Sequence, residues 1–261
     1  MNLYDGTGAL IPVGDSAGKI PWFNLSHKGK APDAYGNSIY AFNRTQEFGM
    51  DGTELDLRLT SDNIVVCSHD SDITGENSQG VTQTLTISSN TYATLAALTL
   101  FTIDNVDYHL VKFEDVARMA FYWGWKCLQL DVKSASNIDS CTIKASEIIR
   151  DCGLSGKAMY FSANANTIDD ILANDPLAMF DIGSATVTGS IYEDIPTERL
   201  WRSVHRSNLP SYTKDGHPFY VYDAGASQAD DIMSYQPNAI QWQADTDGAS
   251  LSETFLANVD W

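Results

Sequence analysis

Eight short apolar runs with the composition of β-strands recur along the 261-residue chain, and segments with helical periodicity separate most of them. When strands alternate with helices, the strands lie parallel in one sheet, because each helix returns the chain to the same edge. Eight such units in about 250 residues are typical of an α/β chain folded as a (β/α)8 barrel, or TIM barrel. The predicted strands are 22–26, 53–59, 64–68, 126–132, 157–161, 177–182, 218–223 and 239–243.

Helical periodicity fills the intervening segments, and capping signals agree with it. The first predicted helix has Asn37 or Ser38 at its start and Gly49 just after its end, where N-cap and C′ residues are expected. The predicted helices are 38–48, 91–98, 112–123, 137–152, 166–174, 193–207 and 226–235.

An open, doubly wound sheet is the alternative α/β architecture. Its first strand is usually followed by a phosphate-binding GxGxxG loop, and the stretch SHKGKAPDAYGNS, which follows the first strand here, lacks that spacing. We therefore predict one TIM-barrel domain over residues 22–261, preceded by an arm or linker over 1–21. The segment 71–109 holds only one weak helix, and we expect it to lie over one rim and shape substrate access.

The chain carries a large excess of negative charge, since 34 acidic and 16 basic residues give a net charge of −18. Phosphate backbones and anionic membrane surfaces repel such a chain, so nucleic-acid binding is not expected. No apolar run approaches the ~20 residues of a membrane span, and the N-terminus lacks the pattern of a signal peptide. The sequence thus predicts a soluble chain with no transmembrane segment, leaves its compartment open, and allows for a domain cut from a longer protein.

Acidic side chains share one face of two predicted strands. Residues two apart in a strand point the same way, so Glu54 and Asp56 lie on one face and the neighbouring leucines on the other. Asp131 and Lys133 repeat the pattern in the strand 126–132. If the leucines pack on helices, the carboxylates point into the barrel, where a hard divalent cation would relieve their repulsion. A solvated edge strand with alternating charge is the other interpretation of the first pair.

Two histidines directly follow apolar runs. His27 comes after WFNLS and His69 after IVVCS, at strand ends where barrel enzymes hold their chemistry. A single histidine is more often structural, but two at equivalent positions beside an acidic pair favour acid–base chemistry. His109, His205 and His217 lie in polar contexts and are interpreted as surface or structural residues, and WRSVHRSN as the solvated face of a helix.

Four motifs, in matching order and spacing, resemble the glycerophosphodiester phosphodiesterase family, which is related to phosphatidylinositol-phospholipase-C-like phosphodiesterases. That family opens with His-Arg-Gly and Pro-Glu-Asn-Thr, continues through Gly-x-Glu-x-Asp-Val and a strand-end His-Asp, and then has a strand with Glu-Ile-Lys. The corresponding runs here are SHKGKAPDAYGNS, DGTELDLRLTSDNIVVCSHDSDITG and LQLDVKS, and KFEDVARMA resembles the helix before the last of them. The resemblance is dense over residues 25–133 and thinner beyond.

The resemblance implies roles for the matching residues. His27 and His69 would be the acid–base pair, Lys28 and Lys133 would face the phosphate, and Asn37 would lie at the edge of the site.

The metal site is also implied by the resemblance. Glu54, Asp56 and Asp131 would hold one divalent ion, commonly Ca²⁺ or Mg²⁺ in the family.

Three departures mark a divergent member. Lys28 replaces the usual arginine and loses its bidentate grip on phosphate, Gly36 replaces a glutamate, and Asp131 is one methylene shorter than the usual glutamate. Trp242, on the last predicted strand, either forms an apolar wall for a glycerol or sugar moiety or packs against a helix.

The resemblance predicts a metal-dependent phosphodiester hydrolase, in which a substrate hydroxyl or water attacks phosphorus with His/His acid–base catalysis. Small-molecule or polymeric substrates fit, including deacylated phospholipid headgroups, lysophospholipids and glycerol phosphate polymers such as teichoic acids. One alternative is a catalytically weak barrel that binds glycerophosphate-containing surfaces. Another is a phospholipase-C-like or phospholipase-D-like relative.

Overall fold

The fold consists of parallel strands and helices that alternate along most of the chain. The computed structural model describes residues 23–31, 35–134, 137–161, 167–183, 190, 192–224, 235 and 237–242, with the backbone alone at 223, 224 and 242. Its strands are β1 (Phe23–Ser26), β2 (Gly52–Leu59), β3 (Val65–Cys67), β4 (Asp72–Glu76), β5 (Thr82–Thr86), β6 (Phe101–Ile103), β7 (Val106–Tyr108), β8 (Cys127–Val132), β9 (Ala158–Phe161), β10 (Met179–Asp181), β11 (Leu200–His205), β12 (Phe219–Ala224) and β13 (Ala239–Trp242). Its α-helices are α1 (Ile39–Glu47), α2 (Tyr92–Ala96), α3 (Phe113–Trp123), α4 (Ile138–Asp151) and α5 (Ile168–Asn174), and short 3₁₀-helices cover Ile87–Ser89, Thr197–Arg199 and Arg206–Ser211.

Eight of these strands form a closed parallel barrel. Around the barrel the order is β1, β2, β8, β9, β10, β11, β12 and β13, and β13 pairs with β1. The predicted TIM barrel is therefore confirmed. In this order β11 lies across the barrel from β2, and β12 lies across from β8.

Side chains alternate between the interior of the barrel and its helix-covered outside. Leu55, Leu57 and Leu130 lie in the large apolar core that also contains residues of α3 and α4. The barrel interior holds a separate cluster, in which the rings of Phe23 and Trp201 stack with centroids 5.7 Å apart. Because the leucines face the helices, the polar residues between them point inward.

The strand predicted at 64–68 does not belong to the barrel. β3 pairs antiparallel with the far end of β2, with Leu57 opposite Cys67. The turn between the two strands is tight: Asn63 has a positive φ of 62° and the Thr60 hydroxyl donates to Asp62 at 2.6 Å. A turn this short can only reverse the chain, whereas a parallel neighbour requires a crossover connection.

The helix predicted at 193–207 is also wrong, because its second half is the barrel strand β11. Leu200 packs in the outer core while Trp201, the next residue, lies inside the barrel, which is the alternation of a strand. Charged residues at positions 199, 202 and 206 imitated the polar face of a helix. The predicted number of barrel strands was correct because one strand was wrongly included and another was missed.

The segment 71–109 contains more structure than the single predicted helix. It folds into the hairpins β4–β5 and β6–β7 with α2 between them. In the second hairpin Phe101 and Tyr108 stack at 5.0 Å, and they contact Tyr35 and Tyr40 at 4.7 and 5.7 Å. The hairpin is thereby attached to the start of α1, next to the loop that follows β1.

Some sequence-based predictions fall outside the described residues. These are the arm at 1–21, the predicted helix at 226–235 except for position 235, and the side chain of Trp242. None of the helices that the structure describes is long and apolar enough to cross a membrane.

Candidate metal-dependent hydrolase site

Three carboxylates converge at the C-terminal ends of two neighbouring barrel strands. Glu54 and Asp56 of β2 and Asp131 of β8 each offer an oxygen, and these oxygens lie within 4.8 Å of one another. Asp56 and Asp131 are directly paired in the strand register. Glu54 and Asp56 are only 3% and 1% exposed, whereas the Asp131 side chain is 22% exposed. The cluster is therefore open to solvent on the side of Asp131.

Burial makes the negative charge of Glu54 unfavourable. It raises the pKa of Glu54 well above its ordinary value, and the nearby charges of Asp56 and Asp131 raise it further. The backbone N–H of Lys28 donates to Glu54 Oε2 at 3.0 Å and offsets part of the shift. Negative charges held this close repel one another, and a bound cation would relieve that repulsion.

The donor set fits a hard divalent ion. All three ligands are carboxylate oxygens, the chemistry that Ca²⁺ and Mg²⁺ prefer. Asp56 Oδ1 is buried and accepts no hydrogen bond from the residues that the structure describes, although Lys133 Nζ lies 3.4 Å away. The role of Glu54, Asp56 and Asp131 as ligands, and the identity of the metal, remain predictions.

Asn37 holds Asp56 in place. Its Nδ2 donates to Asp56 Oδ2 at 2.7 Å, and its Oδ1 accepts from the Asp56 backbone N–H at 3.0 Å. Asn37 has a positive φ of 57°, a conformation that asparagine tolerates better than most residues, and its own N–H donates to the Lys28 carbonyl. The residue predicted at the edge of the site thus contacts a candidate ligand twice.

The loop after β1 depends on a close approach to α1. At Gly29, where φ is 82°, an added Cβ would lie 2.6 Å from the Cβ of Ala41. The Gly29 N–H donates to the Thr53 hydroxyl at 2.9 Å, which anchors the loop on β2. Glycine at this position is therefore required both by space and by conformation.

Two lysines bring positive charge to the cluster. Lys133 Nζ donates to Asp131 Oδ2 at 2.7 Å. Burial opposes its charge, but that hydrogen bond and the charges of Asp131, Asp56 and Glu54 outweigh burial and raise the pKa of Lys133. The charge of Lys28 acts on Glu54 and on Asp70, so this side chain also lies near the site.

His27 directly follows β1, as predicted, at the C-terminal end of a barrel strand. Its Nε2 lies 3.8 Å from Glu54 Oε2, and its side chain is 21% exposed. His27 is therefore at the acidic cluster and accessible to a small molecule.

His69 reaches this part of the molecule by a route the sequence did not indicate. It follows β3, the antiparallel strand outside the barrel, rather than a barrel strand. Its Nδ1 lies 2.8 Å from Asp70 Oδ1, and hydrogen bonding to His69 lowers the pKa of Asp70. An ionised carboxylate can only accept, so in this contact His69 Nδ1–H donates to Asp70.

Sequence patterns did not reveal a set of aromatic side chains on other barrel strands: Phe161 on β9, His205 on β11, and Tyr220 and Tyr222 on β12. The Tyr220 hydroxyl donates to Asp181 Oδ2 at 2.8 Å, and the ring centroids of Tyr220 and Phe161 lie 6.2 Å apart. The rings of His205 and Tyr222 pack at 5.2 Å.

The sequence signal that could have revealed these residues is the two-residue alternation of side chains along a β-strand. His205 follows Trp201 on the inward face of β11, and Tyr222 follows Tyr220 on β12. The interpretation of His205 as part of a solvated helix face is wrong, because its segment is a strand. Asp181 is the penultimate residue of the predicted strand 177–182, where an acidic residue after an apolar run could have been noted.

The fold and this arrangement define the class of protein. Residues 27–150, a little under half of the chain, match the model of the glycerophosphoryl diester phosphodiesterase family, and this segment contains the whole acidic cluster. This match confirms the predicted resemblance to the glycerophosphodiester phosphodiesterases, as a divergent relative. A search of curated proteins found no match.

Solved structures with the same fold support this assignment of architecture. A glycerophosphodiester phosphodiesterase from Parabacteroides distasonis is 21% identical, with a TM-score of 0.66 over 92% of this chain and 98% of that one. An enzyme from Thermotoga maritima is 19% identical, with a TM-score of 0.57 over 90% and 97%. A phosphodiesterase from Oleispira antarctica, solved with the product sn-glycerol-3-phosphate, is 16% identical, with a TM-score of 0.63 over 84% and 92%.

Proposed function

We propose that this protein is a metal-dependent hydrolase of glycerophosphodiester-type linkages that works by His/His acid–base catalysis. The observation that carries the proposal is the convergence of Glu54, Asp56 and Asp131 at the open end of the barrel. When bound there, Ca²⁺ or Mg²⁺ would neutralise charge on the phosphodiester.

The side chains around the cluster supply the remaining parts of the chemistry. Lys28 and Lys133 provide positive charge for phosphate oxygens. His69, with Nδ1 held by Asp70, accepts the proton of the attacking hydroxyl at Nε2. His27, which lies beside Glu54, gives a proton to the leaving oxygen.

For the substrate, we propose a small glycerophosphodiester or a polymer with glycerol phosphate linkages, such as a teichoic acid. The product bound in the Oleispira antarctica phosphodiesterase, sn-glycerol-3-phosphate, supports a glycerol phosphate unit. The net charge of −18 disfavours large polyanions in general, including negatively charged lipid bilayers and nucleic acids, so a small glycerophosphodiester is the preferred substrate.

The test is turnover of glycerophosphocholine, glycerophosphoglycerol and a glycerol phosphate polymer, followed by ³¹P NMR, in EDTA and then with Mg²⁺ or Ca²⁺. We expect metal-dependent release of an alcohol, and the variant Glu54→Gln should be inactive. A cyclic phosphate product would identify attack by a substrate hydroxyl. Loss of choline from a lysophospholipid would instead favour the phospholipase-D-like alternative. Metal and ligand binding without turnover would favour the binding module.

A further inference from the structure

Arg58 is the next inward-facing residue of β2 after Glu54 and Asp56. Leu57 and Leu59 on either side of it lie in the outer core, so alternation places Arg58 on the face of the two carboxylates. The charges of Asp56, Asp70 and Asp72 act on its guanidinium, which is half-buried. None of the sequence motifs gave this residue a role.

The guanidinium joins two loops that carry candidate site residues. Arg58 Nε donates at 3.0 Å to the carbonyl oxygen of His69, and Nη2 donates to the same oxygen. Arg58 Nη1 donates at 3.1 Å to the carbonyl oxygen of Lys133. One rigid group therefore fixes the backbone at both residues.

These contacts complete an attachment that begins in the sheet. The Ser68 N–H donates to the Asp56 carbonyl at 2.9 Å, and the Lys133 N–H donates to the Leu57 carbonyl at 2.9 Å. Each loop is thus tied to β2 by one backbone bond just before its chain turns away. At the next residue of the first loop, and at Lys133 itself in the second, Arg58 donates hydrogen bonds to the backbone carbonyls.

We propose that Arg58 is a positioning residue that aligns His69 and Lys133 with the carboxylates of β2. The proposal rests on the proposed function for the roles of those two residues, but its structural part does not. β2 carries both Glu54 and Asp56. Because Arg58 belongs to the same strand, its hydrogen bonds fix the positions of His69 and Lys133 relative to the proposed metal ligands.

Lysine could not replace this residue. The planar guanidinium presents its N–H groups as a fork with fixed directions, whereas an ammonium is a point charge at the end of a flexible stem. Small displacements of a catalytic group cost up to about a hundredfold in rate. We therefore expect Arg58→Ala to lower kcat about 30-fold. Arg58→Lys should recover less than half of the lost activation free energy, that is, less than half of the decrease in log kcat. KM should change less than about threefold in both variants.

A double-mutant cycle separates positioning from direct contact with the substrate. If Arg58 acts through His69, Arg58→Ala should cost much less in a His69→Ala background than in the wild type. Equal losses in the wild type, in His69→Ala and in Lys133→Ala would overturn the proposal and point to direct phosphate contact. Arg118→Ala is the matched control, because Arg118 is an exposed helix residue paired with Glu114, and its activity should be unchanged.

A second measurement does not depend on turnover. We expect the ¹H–¹³C signal of the His69 ring to be single in the wild type and shifted or broadened in Arg58→Ala and Arg58→Lys. The signal of His109, whose ring contacts the Leu98 carbonyl, should not move. An unaltered His69 signal in both folded variants would refute the proposal. Absence of phosphodiesterase activity in the wild type would refute the proposed function while leaving this test decisive for Arg58.

Discussion

The two sides of the barrel opening differ in the chemistry of the side chains at their inward-facing positions. On β2 and β8, inward positions hold three carboxylates whose mutual repulsion is only partly offset by Lys133 and by the Lys28 N–H. On β10, β11 and β12, inward positions hold aromatic rings and one carboxyl group, Asp181.

Asp181 shows what a satisfied buried carboxyl group looks like. Burial raises its pKa, but the Tyr220 hydroxyl and the Gly183 N–H, both at 2.8 Å, donate to its two oxygens. Asp56, by contrast, leaves one buried oxygen without a hydrogen bond. Asp181 therefore has a hydrogen-bond donor for each of its two oxygens, whereas Asp56 has a donor for only one within the described part of the chain.

Removal of divalent ions should have the largest effect on the acidic side. EDTA should abolish turnover and lower the melting temperature, because an ion at 100 times its Kd stabilises the folded state by about 2.7 kcal/mol. For a chain of this size that corresponds to roughly 5–10 °C in differential scanning calorimetry. Asp181→Asn should keep the response to Ca²⁺ or Mg²⁺ and Glu54→Gln should lose it. A melting temperature that ignores millimolar divalent ions would refute the metal site.

Replacing histidines on the two sides should have unequal effects. His27→Ala or His69→Ala should lower kcat by about a hundredfold or more, the usual size of an acid–base contribution, and the wild-type pH–rate profile should be bell-shaped because one group must be protonated and the other deprotonated. His205→Ala, on the aromatic side, should stay within about tenfold of the wild type, because its ring packs on Tyr222. Equal losses for all three would show that the division is wrong.

Tyr220→Phe tests whether the aromatic side is a structural unit. The substitution removes the hydroxyl that Asp181 accepts from and should lower the free energy of unfolding by about 1–3 kcal/mol, the cost of an unsatisfied buried group. Divalent-ion affinity, measured by calorimetric titration, should not change. Tyr122→Phe, at a residue that is 86% exposed, is the control. A large fall in metal affinity would mean that the two sides are coupled.

The smallest effect concerns pH. Because the pKa of Asp181 is raised in the folded state, its proton is held more tightly there than in the unfolded chain. The stabilising contribution of Asp181 is therefore present below its unfolded-state pKa of ~3.9, and it is lost as the pH rises through its higher folded-state pKa. Urea titrations in EDTA should show the stability of the wild type relative to Asp181→Asn falling as pH increases from about 4. A difference that rises with pH would contradict the assigned direction.

Sequence alternation predicted the acidic side because each of its parts is local. The alternation of Glu54 and Asp56 with leucines depends on one strand, and that of Asp131 and Lys133 on another. The period of two fixes which side chains share a face, whatever the strand's neighbours are. Only one further assumption, that the leucines face helices, was needed to turn the carboxylates inward.

The aromatic side could not be predicted in this way. β11 was predicted as a helix because Arg199, Arg202 and Arg206 are spaced three and four residues apart, which also fits the polar face of a short helix. His69 was placed at a barrel strand because β3 is as apolar as one, and its direction depends on the turn before it. Neither error was visible within a window of a few residues.

Local periodicity and composition were enough to predict the class of fold and the strands that carry the carboxylates. They were also enough to predict the residue types available for acid–base and metal chemistry. Tertiary structure alone decided that β3 leaves the barrel, that β11 enters it, and that Arg58 bonds to carbonyls at positions 69 and 133. The physical reason is that strand partners and backbone acceptors are chosen by sheet closure. Sheet closure depends on the whole chain, and backbone carbonyls are the same at every position.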